Sequence, residues 1–510
     1  MHYRKSLFAT LLVGSGIIAG PITARADDSG QLQQLRTQVQ DLDQKIRLIE
    51  QNKGAASPPP ADVQKQNPSV ISNSPGYGVI SSDGTSELKL HGLIQADGRF
   101  YGGSGIASGN SSANAVPASD TMLLREFRPI LQGTVWSKYD FLFTPDFGNG
   151  KVIVVDAFLN ARFTPAVQVE IGKQKTPFGL ERLQGEADRK FLEVALTNNL
   201  VPNRDIGVQL HGLVANGTVD YALGHFNGVV DSNSTDAYTA PDTNINNNKD
   251  FAARVFARPF NSAPGLWQGL GVGLAATYGT QHGTGGVASA ATLTQSDLPG
   301  FKTALGQQTF FAYRNGSGGA PAAGNTYANG QRSRLSPQFY YYVGPFGVLG
   351  EYIRTTQDVA RTIAAGVNRQ DALSNTAWQI AASWLLTGEK SGFANPVPKR
   401  VFESGPNGGW GAWELAARYS VLTVDDRAFA AYGTGTASAQ QLASYADPRA
   451  AARRASAWAA GVNWYLNTNV KLLFDYEQTR FNGGWTDPGA TAILDRPTEH
   501  VISARMQVAF

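Results

Sequence analysis

From Glu87 to Tyr101 the chain alternates with a period of two. Leu88, Leu90, Ile94, Ala96 and Phe100 fall on one face, and Lys89, His91, Gln95, Asp97 and Arg99 on the other. A half-buried strand of a soluble sheet keeps such alternation for roughly four to eight residues. Here it persists through the whole segment, with a charged polar row. The chain end repeats it, with Ile502, Ala504, Met506, Val508 and Phe510 set against Ser503, Arg505 and Gln507. Segments of the same kind lie near 123–135, 138–147, 152–163, 166–173, 204–213, 217–226, 250–259, 269–279, 333–343, 347–357, 376–387, 410–421, 455–466 and 469–480, making sixteen with the two ends. Strands of about ten residues suit a tilted bilayer crossing. Long joins such as 280–332 and 422–454 alternate with short ones such as Ser137, Thr164-Pro165 and Asn467-Thr468; 388–409 is an exception. Hydrocarbon offers the backbone no hydrogen-bond partner, so a sheet in it must close on itself. The pattern predicts an all-β fold, a sixteen-stranded antiparallel transmembrane β-barrel over 87–510, with both termini on the short-turn side. Tyr101, Trp136, Tyr139, Trp267, Tyr278, Trp410, Trp413, Trp464 and Tyr465 cluster near strand ends, as an interfacial girdle requires.

The first 86 residues follow other rules. Arg4 and Lys5, an apolar run from Leu7 to Ala19, and Ala24-Arg25-Ala26 predict a secretory signal peptide over 1–26. Leu32, Leu35, Val39, Leu42, Ile46 and Ile49 then alternate in steps of three and four, the seam of a coiled-coil helix over 27–53. So short a helix is marginal alone, and tethering several copies would stabilise it. Residues 54–86, with Pro58-Pro59-Pro60, cannot bury a core and read as an extended linker. Helix and linker would stand in the periplasm, within reach of peptidoglycan.

Composition removes whole classes of function. Without cysteine there is neither a disulfide scaffold nor a thiolate site. Three of the 43 bases sit in the leader, which holds no acid, so the mature chain is neutral and carries no basic field for nucleic acid. His2, His91, His211, His225, His282 and His500 show no metal-ligand spacing. Neither a nucleophile elbow nor a phosphate-cradling loop appears, so no enzyme, metal or cofactor is expected. The competing class, an exported soluble β-rich carbohydrate-binding or structural envelope protein, would instead seal its apolar rows inside a core.

Sixteen strands enclose a lumen too wide for side chains to fill, and it would conduct small hydrophilic solutes passively. One join on the long-loop side is too apolar to stand in solvent. Residues 174–203 hold Phe178, Leu180, Leu183, Phe191, Leu192, Val194, Leu196 and Leu200, and are expected to fold inward as the constriction. By alternation Arg99, Arg128, Arg162, Arg254, Arg258, Arg418 and Arg505 would face the water. The constriction block adds Lys175, Arg182, Arg189, Lys190 and Arg204 as anion-binding candidates. The same block supplies the acids Glu181, Glu186, Asp188, Glu193 and Asp205.

The stretch "GKQKTPFGLERLQGEADRKFLEVALTNNLVPNRDIGVQLHG", Gly172 to Gly212, resembles the phosphate-selective porin O and P family. So do "GAWELAARYS" from Gly411, "GVNWYLNTNVKL" from Gly461 and the terminal "RMQVAF". The resemblance implies a trimeric outer-membrane barrel of a Gram-negative bacterium with an in-folded loop, passing small anions such as phosphate along a lumenal arginine row. A homotrimer embedded in outer-membrane lipid would also tether the heptad helices below the membrane.

Overall fold

The computed structural model describes residues 69–72, 76–102, 119–232, 248–283, 296–314, 324–364, 367–406, 408–432, 443–486 and 492–510. The signal peptide and the coiled-coil helix lie outside the described residues.

Sixteen long strands build the wall: β1 (Glu87–Gly102), β2 (Thr121–Val135), β3 (Tyr139–Asp146), β4 (Ile153–Thr164), β5 (Val167–Lys175), β6 (Arg204–Val214), β7 (Val219–Phe226), β8 (Lys249–Ala257), β9 (Leu270–His282), β10 (Thr326–Val343), β11 (Phe346–Ala364), β12 (Val367–Leu385), β13 (Ala412–Thr423), β14 (Ala452–Tyr465), β15 (Val470–Trp485) and β16 (Glu499–Ala509). Each pairs antiparallel with its sequence neighbours. β16 closes on β1, with Arg505 opposite Asp97. Phe510 and Gly92 exchange both backbone hydrogen bonds, so the C-terminal residue completes the seam. Closure leaves no edge for the bilayer to desolvate.

The two rows of the wall have opposite surroundings. Phe474 is 51% and Ile502 59% exposed, whereas Arg99 and Arg505 are 5% and 4% exposed. Leu159, Ile171, Leu223, Phe251 and Leu274 continue the outer apolar row around the barrel. A soluble protein would hide these side chains; here they face hydrocarbon. Among the described residues no helix is long and apolar enough to cross a membrane, and the strands do the crossing.

The architecture departs from the sequence pattern in three places. Residues 358–375, expected to be a loop, extend β11 and β12 into a hairpin paired from Phe346↔Trp384 to Ala364↔Val367. The outer row there, Arg354, Thr356 and Asp358, is polar. A ladder that rises above the hydrocarbon keeps its hydrogen bonds but has no reason to keep an apolar face. Second, the linker is not extended throughout. Ser69–Ser72 and Tyr77–Ile80 form a hairpin whose second strand pairs with the start of β1, Tyr77 opposite Leu90. It takes up the part of the β1 edge that β16 is too short to cover.

Third, the join between β9 and β10 folds inward. Phe301–Lys302 and Thr309–Phe311 make a small hairpin of their own, and Phe301, Phe310 and Phe311 are buried. They pack with Leu196, Leu200 and Val201 of the 174–203 segment, with Phe429 and Tyr445 from the join after β13, and with Val359, Leu373 and Phe481 of the inner wall. The Phe301 and Phe311 rings stack with centroids 5.0 Å apart. Burial of each such ring contributes about 1.5–3 kcal/mol. The barrel therefore has an apolar core on one side of its lumen.

Candidate functional site

The segment that leaves β5 folds into the lumen through a glycine in a positive-φ conformation that only glycine adopts freely. Gly179 has φ +79°, and a Cβ there would meet Val201 Cγ1 at 2.7 Å. One α-turn, Leu180–Leu183, and two 3-10 turns, Glu186–Asp188 and Leu196–Leu200, follow. So little regular structure leaves many backbone groups without partners, and the wall supplies them. The Leu180 N–H donates to Glu351 of β11 at 2.7 Å, and the Leu192 N–H to Asp475 of β15 at 2.7 Å. In the other direction Arg505 donates to the Leu192 carbonyl at 2.8 Å, Arg418 to that of Glu193 at 2.8 Å and Lys471 to that of Arg189 at 2.9 Å.

The carboxylates of the segment bind the wall's guanidinium groups. Glu193 lies 2.6 Å from Arg99, 2.7 Å from Arg125 and 3.8 Å from Arg505. Glu186 lies 2.8 Å from Arg204, 3.3 Å from Arg189, 3.4 Å from Lys175 and 3.7 Å from Arg128. Glu181 meets Arg418 at 3.1 Å and accepts from the Ala195 N–H and from Asn198. Burial alone would raise the Glu186 and Glu193 carboxyls, but the surrounding cations hold both well below their usual range. Much of the arginine row is thus committed to internal pairs. Arg99 and Arg505 also share Asp97, Arg128 also holds Asp146, Arg204 also holds Asp156, and Arg418 also holds Glu477.

Other candidates are placed elsewhere. Arg162, with Asp140 at 2.9 Å, and Arg258, which donates to the Gly217 carbonyl at 3.1 Å, sit by short turns at the rim, away from the in-folded segment. Arg254 pairs with Asp220 at 3.2 Å along the wall of β7 and β8. Lys190 meets Glu414 at 3.1 Å, and Asp188 accepts the Asn395 N–H at 2.9 Å, tying in the 388–409 join. Asp205 lies just past the in-folded segment, at the start of β6. It accepts the backbone N–H groups of Gly228 and Val229, and so fastens the turn after β7.

The exception is Arg182. It is 8% exposed, makes no hydrogen bond or ion pair among the described residues, and its Nε is buried without a partner there. It lines a water-accessible cavity of about 250 Å³ between the in-folded segment and the wall of β2, β3, β4 and β6. Arg125, Arg128, Lys151, Arg189 and Arg204 line the same space. Only Glu126, Asp146 and Glu186 oppose them in the lining.

Strict alternation overlooks Arg125. The β1–β2 register slips between Gln95 and Ala96, whose partners are Glu126 and Leu124. Arg125 is the extra residue of that bulge, and it joins Glu126 and Arg128 on the lumenal side. Glu351, Asp475 and Glu477 sit on the polar rows of β11 and β15, so the alternation itself carried their signal. Among the described residues no group of three His, Asp or Glu side chains is placed to hold a metal ion.

Among curated protein sequences no relative is found. Barrels of low sequence similarity resemble the chain in outline. OmpT of Vibrio cholerae is 11% identical, covering 87% of this chain and 100% of that one, with a TM-score of 0.46. The outer membrane channel DcaP of Acinetobacter baumannii is 10% identical over 83% and 97%, with a TM-score of 0.47. An anion-selective porin from Comamonas acidovorans is 12% identical over 83% and 100%, with a TM-score of 0.43. The sequence profile of the family described as phosphate-selective porin O and P matches residues 97–510. With its closed wall, outward apolar row and charged lumen, the chain belongs to that family and is an outer-membrane porin.

Proposed function

We propose that this porin favours anions, which pass through the cleft between the in-folded 174–203 segment and the wall of β2 to β6. One observation carries the reading: six bases line the cavity there against three carboxylates. Elsewhere the apolar core fills the lumen, and the Arg99–Glu193–Asp97 network, which borders the cleft through Arg125, is already paired. Solutes would therefore meet the net positive wall. Low-dielectric surroundings focus such a field and raise the local concentration of counter-ions. The test is the reversal potential of the reconstituted channel in a salt gradient. Anion preference supports the reading, and cation preference removes it.

Family membership supports assembly as a trimer, and the heptad pattern of Leu32 to Ile49 supports a periplasmic coiled coil beneath it. With a polar linker of that length the helix would reach peptidoglycan. Deleting residues 28–54 should weaken the trimer and its co-sedimentation with cell wall; if neither changes, the periplasmic role is wrong.

A further inference from the structure

The outer rows of β11 to β15 change chemistry partway up the wall. Tyr352, Trp378, Tyr419 and Trp458 stand exposed on them, with Trp378 5.6 Å from Tyr419 and Trp458 5.1 Å from Tyr476. Aromatic rings with one wet end mark the depth at which hydrocarbon gives way to headgroups. Beyond them, toward the long loops, the same rows turn cationic and hydroxylated. Arg354 lies opposite Thr376, Thr376 opposite Thr423 and Thr423 opposite Arg454. Arg480 lies opposite Ser456, and so diagonal to Arg454. All three arginines are exposed. Other arginines of this rim have carboxylate partners: Arg427 meets Asp425 at 2.7 Å, Arg449 meets Asp447 at 3.1 Å and Arg453 meets Asp426 at 2.9 Å. Among the described residues Arg454 and Arg480 make no ion pair, and Arg354 donates to the Ser374 hydroxyl at 3.3 Å. The acid of these outer rows, Asp358, lies beyond Arg354 and accepts the Gln331 N–H at 2.9 Å. The wall of β1 to β4 carries no such row, and Phe100, Met122, Leu124 and Val152 are exposed at its long-loop end.

We propose that the outer face of β11 to β15 binds a phosphorylated glycolipid of the outer leaflet, whose phosphates are held by Arg354, Arg454 and Arg480. Long loops stand outside the cell, so this end of the wall meets the outer leaflet. The arginine stems lie along apolar wall and carry their heads up to the polar layer. What a guanidinium meets there is a lipid headgroup, and phosphate oxygens accept its planar fork in pairs. Arg454 and Arg480, about 7–8 Å apart on the diagonal, can share one phosphate. Arg354 lies three strands away from Arg454, about 14 Å, and takes a second. Thr376 and Thr423 lie between them and offer hydroxyls to the sugar that joins the two phosphates. A free phosphate ion reaches one end of this row at a time and leaves the rings below it untouched. A glycolipid engages both ends and lays its acyl chains on Trp378, Ile380 and Trp458, so each contact raises the effective concentration of the next. The site is on the outside of the barrel and does not depend on which ions the lumen passes.

The experiment measures binding of fluorescently labelled diphosphorylated lipid A to the full-length porin in detergent micelles. Binding should saturate. Arg354→Gln, Arg454→Gln and Arg480→Gln should each raise the half-saturating concentration roughly tenfold, the loss of one charge-assisted contact. The triple variant should lose saturable binding, and Arg454→Lys should recover part of what Arg454→Gln loses. Arg427→Gln removes a paired rim cation that lies off the outer rows, and it should leave binding unchanged. Monophosphorylated lipid A should bind the unmutated porin more weakly, and an equal concentration of inorganic phosphate should not displace the labelled lipid. A current in planar bilayers shows that each variant is folded. Undiminished lipid binding by the folded single and triple variants overturns the site, as does displacement by inorganic phosphate at equal concentration. A smaller oligomer for the triple variant on gel filtration in lipid-free detergent also overturns it, because the arginines would then be holding a neighbouring copy of the chain.

Discussion

Glu193 of the in-folded segment lies 2.7 Å from Arg125 of β2, and Arg125 reaches it only because a bulge turns that residue inward. The same carboxylate also holds Arg99 at 2.6 Å from β1 and stands 3.8 Å from Arg505 on β16. One side chain thus staples the constriction to three neighbouring strands across the barrel seam.

The stapling makes the two partners unequal under mutation. Glu193→Gln leaves three guanidinium groups facing a neutral amide and should cost about 3–5 kcal/mol, as expected for removing one partner of a buried pair. Arg125→Gln leaves Glu193 with Arg99, and Arg125 is itself partly exposed, so its cost should be about 1 kcal/mol. Urea unfolding in detergent micelles measures both. Equal losses would show that Glu193 is not the hub.

Acid should undock the constriction late. Glu186 and Glu193 are held below their usual value of 4.5 by the cations around them. A carboxyl with a folded pKa below its unfolded one adds stability that is fully present above the unfolded value and is lost as pH falls through the folded value. The docking that Glu186 and Glu193 supply should therefore persist from pH 7 to about 5 and be lost only below about 4, read as unsteady conductance. In Glu193→Gln that acid transition should weaken, because one of the titrating groups is gone. A transition near pH 6 that Glu193→Gln abolishes would contradict the assignment.

The wall was legible in the sequence because hydrocarbon and water impose opposite demands on alternate residues, and Phe474 and Asp475 obey them. Legibility ended where those demands stop. Above the bilayer the outer row of β11 turns polar at Arg354, Thr356 and Asp358, so the strand runs on without its pattern. At Arg125 one inserted residue shifts the phase, and no composition signal marks it. Phe301, Phe310 and Phe311 show no period because their partners, Leu196, Val359 and Tyr445, are remote in sequence. Arg182 was visible as a candidate. Its lack of a partner was not, since pairing depends on where Glu186 and Glu193 spend their charge.

The inward hairpin of the β9–β10 join should restrain the pore. Phe311 is fully buried, stacked on Phe301 and edge-on to Tyr313 at 4.9 Å. Phe311→Ala should cost about 3–5 kcal/mol of local packing. The loosened core should appear as higher open-channel noise and a larger mean conductance. Unchanged conductance with lowered stability would mean that the hairpin packs beside the permeation path without bounding it.

Phe474 and Asp475 test the two faces of one strand. Phe474 is 51% exposed on the outer row, while Asp475 is 3% exposed and accepts the Leu192 N–H of the constriction. Phe474→Arg should destabilise the barrel by about 2–4 kcal/mol if it lies near the bilayer midplane, less toward the interface. Its conductance per folded channel should not change, because the substitution points away from the lumen. Asp475→Asn should do the reverse. The amide oxygen still accepts from Leu192, so stability should drop by only about 1 kcal/mol. Above neutral pH, where the carboxylate is ionised, a negative charge leaves the lumenal side near Arg418 and Arg505, and anion preference should rise. Folding in micelles and reversal potentials separate the two effects. Should Phe474→Arg alter selectivity while Asp475→Asn leaves it untouched, the inside and outside of this wall have been exchanged.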